Sequence, residues 1–200
     1  MKKIAILVDG GHVRVYARRA GKEFNADLIE QLAIRCANQR IEEIHRILFY
    51  DCGPYEGKAA LPVSGNERNF EGSDRILREL ALRPLFAVRR GVLKFRGWSP
   101  KRIPVEGRLL TDDDFRPSFE QKGVDMRIGL DMANYAANRS VELIALITND
   151  TDCIPAMKYA RRAGLQVSLV CIPGYRPAPE LLAHCDTRRD VTWPLQENVS

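Results

Sequence analysis

Asp9 closes the apolar run Ile4 to Val8, and Asp150 and Asp152 follow the run Leu143 to Thr148. In a sheet of parallel strands the functional crevice lies beyond the carboxyl ends of the strands, so residues directly after such runs share one edge. Asp125 joins them if the helix beginning near Lys122-Gly123-Val124-Asp125 turns its first turn toward that edge. Carboxylates packed together raise one another's pKa unless a cation intervenes, and a divalent metal is the simplest such cation. An oxygen-only donor set with no Cys/His spacing favours Mg²⁺ or Mn²⁺ over Zn²⁺. Each aspartate also has a plainer use. Asp150 or Asp152 can cap the helix containing Pro155, Asp125 sits where a helix dipole favours a carboxylate, and Asp9-Gly10-Gly11 can be an ordinary strand-to-helix turn. Four such coincidences at one edge favour a site over four separate caps.

Asp131 follows Asp125 by six residues, about 120° around a helix and ~9 Å along it, so the two cannot both ligate one ion directly. Asp131 is expected to support or cap. His12, His45 and His184 show no ligand spacing, and only His12 lies near the carboxylates. Asp112-Asp113-Asp114 reads as a solvated turn.

These positions depend on the elements around them. Lys3 to Asp9, Ile44 to Tyr50, Leu143 to Thr148 and Leu165 to Ile172 are short apolar runs of the kind buried on both faces of a sheet. Helices are expected from Asn25, where Leu28, Leu32 and Cys36 recur at helical spacing, and over Ser73 to Leu82. Further helices are expected from Gly123 to Asn138, from a first turn that contains Pro155 up to Gly164, and over Pro179 to His184. Residues 53–72 read as a long loop. Leu85 to Arg90 and Val92 to Trp98 read as a hairpin or two short strands about Gly91, and residues 99–120 as an irregular surface excursion. Strands alternating with helices imply an α/β fold with a mostly parallel sheet.

A chain of 200 residues suits one domain, here 1–200 with a basic excursion at about 84–120. With 45% hydrophobic and 28% charged residues it is neither disordered nor membrane-embedded. Its five scattered cysteines give neither a disulfide framework nor a zinc site, and no signal-peptide core follows Met1, so a cytoplasmic location is expected. The net charge of +5 leans toward polyanionic partners. That bias concentrates between Arg83 and Arg108, where Arg89, Arg90, Lys94, Arg96, Lys101 and Arg102 face a single acid, Glu106. Phe95 and Trp98, set among these cations, can stack nucleobases or pack a small core of their own.

Three segments carry a resemblance: Val8-Asp9-Gly10-Gly11-His12, then Gln121 to Asp131, then Ile147-Thr148-Asn149-Asp150-Thr151-Asp152-Cys153-Ile154-Pro155. Together they resemble the signature blocks of the NYN domain, in its LabA-like branch. Asp51-Cys52-Gly53-Pro54, Arg96-Gly97-Trp98, Leu110 to Phe115 and Pro179 to His184 extend the resemblance along nearly the whole chain. It implies a PIN-like, Rossmannoid fold of three layers, α/β/α, and a metal-dependent ribonuclease site built from Asp9, Asp125, Asp150 and Asp152. Thr148 stands where the family often has a serine beside the metal. Two residues depart from the pattern: His12 replaces a common asparagine, altering a polar group near the metal, and Cys153 replaces a common phenylalanine.

The expected activity is therefore Mg²⁺- or Mn²⁺-dependent cleavage of single-stranded or structured RNA, with the basic residues from Arg89 to Arg102 gripping the backbone. The rival is a non-catalytic RNA-binding or regulatory module that keeps the aspartates as a structural metal site. A phosphatase using an aspartyl nucleophile is disfavoured because Asp9 is followed by Gly10-Gly11 rather than by the required D-x-D. No membrane partner is expected, and homodimerisation is left open.

Overall fold

The computed structural model describes residues 1–103 and 109–195, so Glu106 and Arg108 of the basic stretch lie outside the described residues. The elements run β1 (Lys2–Asp9), α1 (Gly10–Arg19), α2 (Ala26–Arg35), β2 (Glu42–Cys52), β3 (Gly57–Ala60), β4 (Glu67–Phe70), α3 (Arg75–Ala81) and β5 (Phe86–Pro100). They continue with β6 (Phe115–Lys122), α4 (Val124–Asn138), β7 (Leu143–Ile147), α5 (Ile154–Arg162), β8 (Gln166–Cys171), α6 (Pro179–Ala183) and β9 (Thr187–Asp190). Seven strands form one sheet in the order β6-β5-β2-β1-β7-β8-β9, with β6 the antiparallel member.

The continuous apolar runs became the central strands because both faces of the sheet are covered. Ile4, Ile6 and Val8 of β1 join a core with α1, α2 and α3, whereas Ala5 and Leu7 point the other way, into a core with α4 and α5. Asn25 caps α2 by accepting from Leu28 N at 2.9 Å. Val124, Ile128, Met132 and Tyr135 form the buried stripe of α4. The strand order reverses direction about β1 and β7, which makes the carboxyl ends of those two strands the natural crevice. Among the described residues no helix is long and apolar enough to cross a membrane.

Four local expectations are corrected. There is no turn at Gly91. β5 runs straight through it, pairing in parallel with β2 up to Gly91 and antiparallel with β6 beyond it. The glycine serves close packing: a Cβ there would lie 2.8 Å from Cys52 Sγ and 2.9 Å from both Lys122 O and Val124 Cγ2. Residues 115–122 are not irregular but form β6. Residues 53–72 contain the β3–β4 hairpin, whose four-residue strands lack an apolar pattern because tertiary contacts hold them. Tyr55 and Phe70 pack on Phe95, Trp98 and Phe119, and Trp98 Nε1 donates to Ala60 O at 2.8 Å. Asp112 is no idle surface charge, since its Oδ1 accepts from Val63 N at 2.9 Å and Ser64 N at 3.2 Å and pins the hairpin loop.

Candidate active site

Asp9 ends β1 and caps α1. Its carboxylate is 7% exposed and accepts two hydrogen bonds, from His12 N to Oδ1 and from Thr148 Oγ1 to Oδ2, both 3.1 Å. Burial pushes its pKa up to about 6, and Asp125 and Asp51 add to the rise while the two donors oppose it. Thr148, directly after β7, uses the same hydroxyl oxygen to accept Asp150 N at 3.1 Å. Asp150 Oδ1 in turn accepts Asp152 N at 2.8 Å, so Asp150 does cap the short 3₁₀ turn over Thr151–Cys153. Asp152 is exposed at the rim.

Asp125 lies in the first turn of α4, which leaves β6 through Gly123 at φ +79°, a left-handed conformation that favours glycine. Burial raises the pKa of Asp125, and the charges of Asp150 and Asp152 raise it further, with Asp150 within hydrogen-bonding reach. The four aspartates thus act on one another at one edge. In their present side-chain positions, no three Asp, Glu, His or Cys groups among the described residues converge into a metal-binding cluster. The donor chemistry still suits a hard divalent ion: only oxygen is offered, and the Asp125–Asp150 contact between two acids is one a cation relieves.

Asp131 stands apart from this group. It accepts from Tyr50 Oη at 2.9 Å and from Arg89 Nε at 2.9 Å and Nη2 at 3.3 Å. Asp9, Tyr50 and Arg89 are register partners across β1, β2 and β5, so Asp131 locks α4 over the same row of the sheet that ends in Asp9. Arg89 is thereby anchored inside the protein as well as half-exposed.

His12 touches the site through its backbone. Its ring packs between Tyr16 and Tyr175, with centroids 4.9 and 4.5 Å away, and neither ring nitrogen has a partner among the described residues. Burial lowers its pKa to about 4, so the imidazole is neutral at pH 7. Of the other cations, Arg90 pairs with Asp74 at 2.9 Å and Arg96 with Glu120 at 2.5 Å, while Lys94, Lys101 and Arg102 are exposed.

Asp51 was not among the expected site residues. It is 1% exposed at the end of β2, where it accepts from Arg14, from Cys52 N at 2.8 Å and from Gln121 Nε2 at 3.5 Å. Burial raises its pKa and the Arg14 guanidinium opposes the rise. The signal was present: Asp51 ends the run Ile47 to Tyr50 as Asp9 ends its own run, but the following Gly53-Pro54 draws the eye to a turn.

Among known proteins, the family model of the NYN domain matches residues 89–191, just over half of the chain. The match contains Asp125, Thr148, Asp150 and Asp152 and leaves out Asp9, whose place beside them rests on geometry. A crystal structure of a protein of unknown function from Vibrio parahaemolyticus is similar over 95% of this chain and 93% of that one, with a TM-score of 0.56 and 18% identity, which shows a shared fold. No curated protein matches.

Proposed function

The chain belongs to the NYN domain family, of the PIN-like nuclease superfamily, and from that premise we propose that it is a Mg²⁺- or Mn²⁺-dependent ribonuclease acting through its four-aspartate edge. The observation that carries this reading is the bridge at Thr148, which joins Asp9 to Asp150 where Asp125 presses on Asp150. Placement in the LabA-like branch rests on the sequence blocks alone.

Asp9, Asp125, Asp150 and Asp152 would hold the metal, which when bound acidifies a water and neutralises charge on phosphoryl oxygens. His12 N and Thr148 donate to Asp9 and favour its ionised form, opposing in part the burial that favours protonation. Asp150 stays fixed by its own cap to Asp152 N and by its backbone bond to Thr148. Asp152, exposed beside them, would ligate the metal or orient the attacking water, taking its proton as the new P–O bond forms, while solvent returns a proton to the ribose oxygen whose bond to phosphorus breaks. Arg90, Lys94, Arg96, Lys101 and Arg102 grip the RNA backbone, with Arg89 anchored behind them, a contact that positions without reading sequence. RNA is the partner this chemistry needs.

The test is incubation of purified protein with labelled single-stranded and hairpin RNA in Mg²⁺, Mn²⁺ or EDTA. Cleavage with either metal and none in EDTA is expected. RNA bound but uncut under every condition would instead leave the binding-module reading.

A further inference from the structure

Beside Asp9 lies a cavity of about 230 Å³ between α1, the end of β2 and α3. Pro54, Ile76, Leu77 and Leu93 give it apolar walls, and Arg14 and Gln121 supply polar groups. Its volume is below the ~300–1,000 Å³ of pockets that enclose drug-sized ligands, so it suits a smaller group.

The cation at this pocket is unusually well held. Arg14 is fixed from below by the buried carboxylate of Asp51 and lies over the Phe24 ring, 4.8 Å from its centroid. Its side chain nevertheless remains 41% exposed, which leaves guanidinium donors for an outside acceptor. Asp74, the other acid of the lining, is already neutralised by Arg78 at 2.7 Å and Arg90 at 2.9 Å. The pocket reaches toward Asp9 through Gln121: a Cβ on Gly11 would stand 3.1 Å from Gln121 Oε1 and 3.3 Å from Asp9 Oδ1, so Gly11 lies between the two.

We propose that this pocket is a subsite for one unpaired nucleotide next to the scissile phosphate, with Arg14 on its phosphate and the apolar walls and Gln121 around its base. The subsite rests on the ribonuclease reading of the neighbouring aspartates. A fixed guanidinium suits a phosphate, and a slot with apolar walls and one amide that both donates and accepts suits a nucleobase. A base already paired and stacked in a duplex cannot enter such a slot, so the pocket selects for single-stranded RNA at this position.

Nucleoside 5′-monophosphates test this directly, titrated one by one into the protein in EDTA and followed by calorimetry or NMR shifts. Gly53 lines the pocket, has no left-handed φ, and a Cβ there meets nothing within 4 Å, so Gly53→Trp adds an indole at the pocket's edge without straining the backbone. Wild type should bind at least one monophosphate saturably. Gly53→Trp should weaken that binding by crowding the pocket's edge, Arg14→Gln should weaken it about tenfold, and Arg14→Lys should recover part of it. No binding to wild type, or equal binding to Gly53→Trp, would overturn the subsite. Because binding is read without metal, it separates the two ideas. Monophosphate binding by a protein that cuts no RNA contradicts only the nuclease reading, whereas RNA cleavage with an unchanged KM in Gly53→Trp contradicts only the subsite.

Discussion

The Thr148 hydroxyl donates to Asp9 Oδ2 at 3.1 Å and accepts the backbone N–H of Asp150 at the same distance, so one side chain sets the spacing between the ends of β1 and β7. Thr148→Val keeps the shape and removes both bonds. It should lower stability by about 1–3 kcal/mol, because a buried carboxylate and an N–H lose their partner. Metal affinity or cleavage should fall roughly ten- to a hundredfold. Thr148→Ser retains the hydroxyl and should restore most of both, as read by denaturation and by RNA cleavage.

The burial of Asp9 gives the metal-free protein a definite pH signature. Its folded pKa of about 6 lies above the ordinary 3.8, so between these values the folded state binds a proton that the unfolded state does not. The group's contribution to stability is therefore fully present below 3.8 and is lost as pH rises through 6. Its neutral counterpart in Asp9→Asn escapes that loss, and should exceed wild type by roughly 2–3 kcal/mol at pH 7.5 in EDTA, with the gap closing by pH 4. Urea denaturation at the two pH values reads it. His12 has the opposite sign: lowered to about 4, its contribution is present above 6.5 and is lost as pH falls through 4.

Gly91→Ala should destabilise the protein by about 1–3 kcal/mol, since the added methyl meets Cys52, Lys122 and Val124 within 3 Å and these belong to three separate elements, β2, β6 and α4. Were Gly91 a turn, the substitution would cost only the left-handed φ, and Gly91 is not left-handed. Thermal melting decides between these.

The central strands and α4 were legible in the sequence because burial on both faces leaves continuous apolar runs, and a helix against a sheet leaves a 3.6-residue stripe. That Asp9, Asp125, Asp150 and Asp152 lie toward one edge of the sheet follows from the position of each at the end or start of such an element. What was not legible depends on partners far along the chain. β3 and β4 exist because aromatic rings from β5 and β6 cover them, and the run 112–114 is ordered by the loop at Val63 and Ser64. The Gly53-Pro54 signal masked Asp51, and nothing local reveals that Arg14, thirty-seven residues earlier, is its partner.

The exposed cations Lys94, Lys101 and Arg102 should give RNA affinity a salt dependence. Changing all three to Gln should flatten the slope of log affinity against log salt by roughly 0.7 per lost phosphate contact, whatever the RNA sequence. Filter binding across a salt series would show it, and an unchanged slope would place the backbone contacts elsewhere.

The central claim is that the aspartate edge cuts RNA with a divalent metal, and the most direct measurement is single-turnover cleavage of labelled single-stranded RNA by wild type and Asp150→Asn, with binding followed in parallel. Wild type should cleave in the presence of metal, and EDTA should abolish that cleavage. In Asp150→Asn the rate should drop by at least ~10²-fold while RNA affinity is kept or improved, since a negative charge near phosphate has gone but the basic grip remains. Wild-type cleavage that is unaffected by EDTA, or an Asp150→Asn protein as active as wild type, would contradict it.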